Sequence, residues 1–302
     1  MLVLDSGNAL FKSPAPGGMA REKERAVLLL EQMDALGTTA MAVGARDLTL
    51  GADFLSQTVK GKKLKLLSAN LVDAEGKPLF AASTVVTVGG VKFGVVGVSP
   101  PGPVSTAKGV KGLPPAKAAL AEARRLREKD KVDVVVLLAA LPQTELQPLS
   151  VQVGTTVDFI LQSHEGRAFL PQHNDFAVLL GAGDRGRQVA WLELSVEGKG
   201  PFHDLSSAER AQQGVKLVEE NLQQARRSLA AAKDETVRAS WRETIASLEK
   251  RIQQLSQEAK LVGKAGERTF RFSYLQLGGD VVDDPGLKRL VERIEAPGSA
   301  SH

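Results

Sequence analysis

The run Ser83-Thr-Val-Val-Thr-Val88, then Gly89-Gly90, then Val91-Lys-Phe-Gly-Val-Val-Gly-Val98 holds two β-forming stretches around a pair of glycines. A two-residue glycine link between such stretches is a strong β-hairpin signal, because the tight turns that match strand twist need positive φ. Upstream, Met19–Leu36 carries Val27, Leu30, Met33 and Leu36 at helical spacing, and Gly37 is placed as its C-terminal stop. Short apolar strands are expected at Leu2–Asp5, Ala40–Val43 and Lys65–Ala69. Downstream, Pro115–Asp130 reads as an amphipathic helix rich in Ala, Leu and Arg. Val132–Leu138 and Val157–Leu161 are continuous apolar runs, as in strands covered on both faces. Phe176–Leu180 and Val189–Val196 are expected to form a second antiparallel pair. β-α alternation followed by hairpins implies a mixed α/β sandwich over residues 1–205.

Residues 206–261 change character, with no Pro, one Gly, and a composition dominated by Ala, Gln, Glu, Arg and Leu. Val218, Leu222, Ala225, Leu229 and Ala232 follow a four-three rhythm, and so do Trp241, Ile245, Leu248, Ile252 and Leu255. The phase breaks between Ala232 and Val237, where Asp234 can cap a new helix. Two antiparallel helices forming a coiled-coil hairpin, each ~35–40 Å long, are therefore expected; a single exposed helix is the alternative. Residues 262–296 then read as a strand (Arg268–Gln276) and a helix (Pro285–Ile294) returning to the sandwich, with 297–302 a disordered tail.

Composition narrows the chemistry. The 302 residues hold 39 Lys+Arg against 35 Asp+Glu, a formal charge of +4, four His and no Cys. No thiol nucleophile, zinc-thiolate site or iron–sulfur cluster is available. The charge excess is too small, and the 4% aromatic share too low, for a nucleic-acid binder. No apolar run reaches the length of a membrane span. Met1-Leu-Val-Leu-Asp-Ser-Gly reads as a strand with no lead-in, which implies further chain upstream.

Several local patterns have a plain reading beside a sharper one. Gly181-Ala-Gly183-Asp-Arg-Gly186 fits the dinucleotide fingerprint by letter, but a strand rather than a helix follows, so a hairpin turn is the better reading. Arg124, Arg125, Arg127, Lys129 and Lys131 interleave with Glu122, Glu128 and Asp130, as on a solvated helix face. None of the histidines His164, His173, His203 and His302 pairs at a metal-ligand spacing. Polar residues do stand at the ends of apolar strands, where α/β sheets expose functional groups: Asp5-Ser-Gly-Asn8, Gly44-Ala-Arg46-Asp47 and Ser163-His164.

The order of these strand ends resembles the calcineurin-like metallophosphoesterases, specifically the catalytic domain of the periplasmic 5′-nucleotidase group, from residue 2 to about 196. The family's Asp-x-Gly-Asp block is similar to Asp5-Ser-Gly-Asn8. Its Gly-Asn-His-Glu block resembles Gly44-Ala45-Arg46-Asp47, and its Ala-Asn segment resembles Ser68-Ala-Asn70-Leu71. Its hairpin resembles Gly90–Gly97, its Leu-Ser-His block Leu138-Ala139-Ala140, its Gly-His-x-His block Ser163-His164-Glu165-Gly166, and its closing strand Gly186–Leu194. The resemblance implies a four-layer α/β/β/α sandwich and two divalent cations, zinc, manganese or similar, that activate water for attack on phosphorus. Here the resembling ligand positions hold Asn8, Ala45, Ala140 and Gly166, with Asn8 and His164 as weak remaining candidates. No metal cofactor is expected at such a site.

Arg46 then suggests a guanidinium in place of a cation, with Asp5 and Asp47 as its partners; with His164 it also suggests a phosphate or nucleotide subsite without hydrolysis. The expected function is a binding or assembly module with a protein partner on the hairpin 206–261. The alternative is an active phosphomonoester or nucleotide hydrolase whose first ligands lie outside this chain. The resemblance also implies a periplasmic or envelope location.

Overall fold

The structure is a computed structural model that describes residues 1–13, 19–104, 107–163, 170–174, 177–181, 183, 186–260 and 266–295. The chain runs β1 (Val3–Asp5), α1 (Met19–Ala35), β2 (Thr38–Ala42), α2 (Gly51–Thr58), β3 (Lys65–Leu67), β4 (Leu71–Val72), β5 (Ser83–Val88) and β6 (Val91–Val98). It continues through β7 (Gly102–Pro103), β8 (Lys111–Gly112), α3 (Pro115–Arg125), β9 (Val134–Ala139), α4 (Gln143–Val153), β10 (Phe159–Gln162), β11 (Gln172–Asn174), β12 (Ala177–Gly181) and β13 (Gln188–Ser195). It closes with β14 (His203–Asp204), α5 (Leu205–Ala231), α6 (Glu235–Glu258), β15 (Thr269–Gln276) and α7 (Pro285–Ile294). The tail 297–302 lies outside the described residues. The β5–β6 hairpin forms as its sequence dictates, with Gly89 at φ 58° and Gly90 at φ 80°, values that suit a turn with two positive-φ positions.

Two sheets carry the site. β1, β2 and β3 form a parallel sheet, with Asp5 beside Met41 and Met41 beside Leu66. The larger sheet has the order β11-β12-β10-β9-β6-β5, parallel through β12, β10, β9 and β6, with antiparallel β11 and β5 at its edges. Ala26 and Leu30 of α1 and Leu55 of α2 cover the first sheet through Met41 and Leu66. Ala119 and Ala123 of α3 and Leu146, Leu149 and Val153 of α4 cover the second through Val96, Val135, Leu137 and Ile160. The sheets meet closely: a Cβ added at Gly97 of β6 would fall 2.4 Å from the Leu67 carbonyl. This is the four-layer arrangement expected from the sequence. Because β1, β2, β9 and β10 are parallel within their sheets, the polar segments after them emerge at C-terminal strand ends.

The chain divides into two compact units, residues 1–190 with 274–302, and residues 191–273. In the second unit α5 and α6 pack against each other. Asp204 caps α5 by accepting from Ser206 N and Ser207 N, and Asp234 caps α6 by accepting from Val237 N at 3.0 Å. Arg238 closes the turn by donating to the Leu229 and Ala232 carbonyls, and Leu222, Ala225 and Leu255 are buried along the seam.

Two expectations need correction. β12 and β13 do not pair: β12 lies between β10 and β11, whereas β13 belongs to a separate sheet of order β13-β15-β14. The two strands that flank the glycine pattern are therefore not the arms of a hairpin. Residues 143–153, to which the sequence reading gave no element, form α4 despite Pro148 within it. The basic cluster is partly structural rather than solvated: Arg125 pairs with Glu122 and Asp130 at 2.7 Å each, and Arg127 pairs with Asp158 while donating to the Val132 and Asp133 carbonyls.

Candidate functional site at the strand ends

The segments after β1 and β2 meet because Gly7 leaves no volume between them. Its φ is 89°, and a Cβ there would fall 2.4 Å from the Ala42 carbonyl and 3.1 Å from the Ala140 Cβ. The next residue, Asn8, also takes a left-handed conformation, φ 59°, which asparagine tolerates better than most side chains. That turn aims the Asn8 amide across the strand ends. Its Nδ2 donates to Ser163 Oγ at 2.8 Å, after β10, and its Oδ1 accepts from Arg46 N at 3.2 Å, after β2. Asn8 thus ties three strand ends together, and both faces of its amide are in use.

Asp47 is the second tie. It is fully buried, and its carboxylate accepts three backbone amides: Asn8 N at 2.7 Å and Gly44 N at 2.8 Å on Oδ2, and Leu10 N at 3.1 Å on Oδ1. Burial pushes its carboxyl up to about 6 against the opposing pull of those amides, and the nearby Asp5 carboxyl adds to the rise. Asp5 is itself raised by desolvation, offset in part by the Gly7 amide that donates to its Oδ1 at 2.7 Å. Two carboxyls therefore sit close together with burial working against their charge.

Arg46 does not neutralise them. Its guanidinium donates to the Lys12 carbonyl at 3.4 Å, and among the described residues neither Asp5 nor Asp47 has an ion-pair partner. The expected pairing fails because the Arg46 side chain runs outward while Asp47, the next residue, turns inward at the start of a short 3₁₀ turn. His164, Glu165 and Gly166 lie outside the described residues.

A dinuclear cation centre needs several carboxylate, imidazole or amide oxygen donors turned toward one point with lone pairs to spare. The described residues do not fit it. The Asp47 oxygens are taken by backbone amides, the Asn8 oxygen by Arg46 N, and Ala45 and Ala140 bring no donor. Among the described residues no group of three His, Cys, Asp or Glu is placed to hold a metal ion. What the arrangement does is cross-link loops.

Beside the site a buried polar cluster braces the sheets. Asn70 donates from Nδ2 to the Ser99 and Leu113 carbonyls at 2.7 and 2.9 Å, and its Oδ1 accepts from Ser99 N at 2.8 Å. Ser68 and Ser99 share a hydroxyl contact at 2.8 Å, and Ser99 Oγ donates to the Val43 carbonyl directly before Gly44. Sequence reading placed Asn70 in a resembling motif but gave it no role, and it missed the Asp47 clasp. The one available signal was a short carboxylate directly after Gly44-Ala45-Arg46, a position from which it can accept from its own loop.

No family model matches the chain, and no curated protein does. Solved structures do. A 5′-nucleotidase precursor from Thermus thermophilus aligns with 64% of the chain at 24% identity and TM-score 0.53. The sulfate thiohydrolase SoxB from Thermus thermophilus aligns with 65% at 22% identity and TM-score 0.55. The calcineurin-like phosphoesterase YfkN from Bacillus subtilis aligns with 97% of this chain and 82% of its own length, at 13% identity and TM-score 0.59. The aligned part spans 42% of the nucleotidase and 36% of the thiohydrolase. The chain has the calcineurin-like metallophosphoesterase fold of 5′-nucleotidase type.

Proposed function

We propose that this chain uses a metallophosphoesterase framework as a binding or assembly module and does not perform two-metal hydrolysis. One observation carries the reading. Of the positions where the resemblance puts metal ligands, the Asn8 amide is consumed in hydrogen bonds to Ser163 and Arg46 N that clamp the strand-end loops to one another, and Ala45 and Ala140 offer no donor atom. Asp47, rather than Arg46, is the residue that cross-links the loops after β1 and β2. Arg46 is partly exposed, and with His164, as the sequence suggests, it is the candidate for holding a phosphate or nucleotide without cleaving it. The hairpin 206–261 is the candidate surface for a protein partner, and a periplasmic or envelope location goes with the resemblance.

The test is turnover of p-nitrophenyl phosphate and of nucleoside monophosphates with added Mn²⁺ or Zn²⁺. The reading expects rates indistinguishable from the metal blank. Metal-dependent turnover abolished by EDTA would overturn it.

A further inference from the structure

The C-terminal ends of β1 and β2 carry the site, and the opposite end of the same sheet carries charge. β2 and β3 run parallel with Ala40 beside Lys65, so the segments that lead into them, 36–37 and 60–64, arrive at that end together. The second segment belongs to Val59-Lys-Gly-Lys-Lys-Leu-Lys65, which has lysine at 60, 62, 63 and 65 and no acid, arginine or aromatic residue. Lys60, Lys63 and Lys65 are exposed and Lys62 is partly so. Between them Leu64 is buried in the core with Leu30 and Leu66, which pins the loop while its charges stay in water.

The last turn of α1 holds this loop in place. The Asp34 carboxylate accepts from Lys63 N at 2.7 Å and from Leu64 N at 2.9 Å, and Lys62 N donates to the Val59 carbonyl at 3.0 Å. The Leu64 and Lys63 amides, with the charges of Lys62 and Lys63, hold the Asp34 carboxyl below its usual value. Asp34 therefore offsets one of the four positive charges, and Glu31 stands one turn further back on α1. Leu36 lies on the same turn as Asp34. Gly37, at φ 77°, donates to the Asp34 carbonyl and leads the chain out of the helix, and Leu36 is left 74% exposed.

We propose that this end of the chain docks on a bilayer surface rich in anionic lipid headgroups, with the four lysines at the headgroup charges and Leu36 entering the acyl boundary. Charge complementarity and the leucine together select that occupant. Lysine is a hydrated point charge without the planar fork with which arginine grips a single carboxylate, so it matches diffuse headgroup charge. Protein partners are met with Trp, Tyr and Arg and rarely with Lys, the reverse of this loop. A soluble polyanion would meet the lysines but would gain nothing from Leu36, whereas an acyl environment takes it out of water. Because the sheet is parallel, the strand-end site then faces away from the membrane.

The test is co-sedimentation of the full chain with vesicles of equal parts phosphatidylcholine and phosphatidylglycerol, against vesicles of phosphatidylcholine alone. Binding is expected to the first and not to the second, and to fall as salt screens the exposed charges. Each lysine near an anionic surface strengthens binding about fivefold, so Lys62→Glu with Lys63→Glu should weaken it at least about twentyfold. Leu36→Ser should weaken it about tenfold at unchanged salt dependence. Lys77→Glu with Lys117→Glu makes the same change of net charge at exposed positions elsewhere and should leave binding as it was. All variants are expected to keep the far-ultraviolet circular dichroism of the unmodified chain. Equal binding to the two vesicle types, full binding by the Lys62/Lys63 variant, or full binding by Leu36→Ser, the result a soluble polyanion partner would give, would overturn the proposal.

Discussion

Replacing Asp47 with asparagine should change how stability depends on pH as well as its overall level. In the folded chain the Asp47 carboxyl is pushed up to about 6 by burial, against a reference value of 3.8. A carboxyl whose folded value is raised binds its proton more tightly in the native state than when unfolded. Its contribution to stability is therefore fully present below about 3.8 and is lost as pH rises through about 6. At about 1.4 kcal/mol per tenfold change, that loss amounts to ~3 kcal/mol. The substituted side chain cannot titrate. It keeps one acceptor oxygen but turns an amide toward a backbone donor, so Asp47→Asn should lie below the unmodified chain by about 1–3 kcal/mol at low pH. The assay is urea unfolding of both proteins from about pH 4 to pH 7.5, read as the difference between them, so that carboxyls common to both cancel. The gap is expected to narrow by about 2–3 kcal/mol as pH rises, and to reverse if the low-pH gap is smaller than that. A gap that widens with pH would refute the reasoning. It would mean that the three amides from Asn8, Leu10 and Gly44 outweigh burial and hold Asp47 ionised.

Asn70→Ala removes an amide that serves the buried Ser99 carbonyl and N–H and the part-buried Leu113 carbonyl, and should cost about 2–3 kcal/mol in chemical unfolding, more than a surface change by far. Asp234→Ala loses the α6 cap and should cost about 1 kcal/mol, visible as earlier loss of helix signal on heating. Leu255→Ala opens the hairpin seam beside Gly214 and should cost about 2–3 kcal/mol, with hydrogen exchange accelerated in α5 and α6 ahead of the sandwich.

The local features were the legible ones. Gly89-Gly90 fixed its own turn, and the lost heptad phase before Val237 located the break between α5 and α6, with Asp234 as cap. Partner choice was less legible. The runs that became β12 and β13 have equal claims to pair with each other, and only the rest of the sheet decides that β12 goes to β10. α4 was invisible because Pro148 outweighs its apolar spacing locally, while burial of Leu146, Leu149 and Val153 decides the matter in the fold. At the site, sequence reading singled out the strand-end residues but misjudged their contacts. Arg46 has a long side chain whose direction depends on the carbonyls within reach. Asp47 has a short one whose reachable donors are the amides of its own and the neighbouring loop.

The central claim is that the Asp47 and Asn8 oxygens at the strand ends are already spent on backbone amides. The most direct measurement is metal content after dialysis against excess Mn²⁺ or Zn²⁺ followed by metal-free buffer. The account predicts retention well below stoichiometric. A retained pair of cations per chain, with loss of the Asn8–Ser163 contact in the loaded protein, would contradict it.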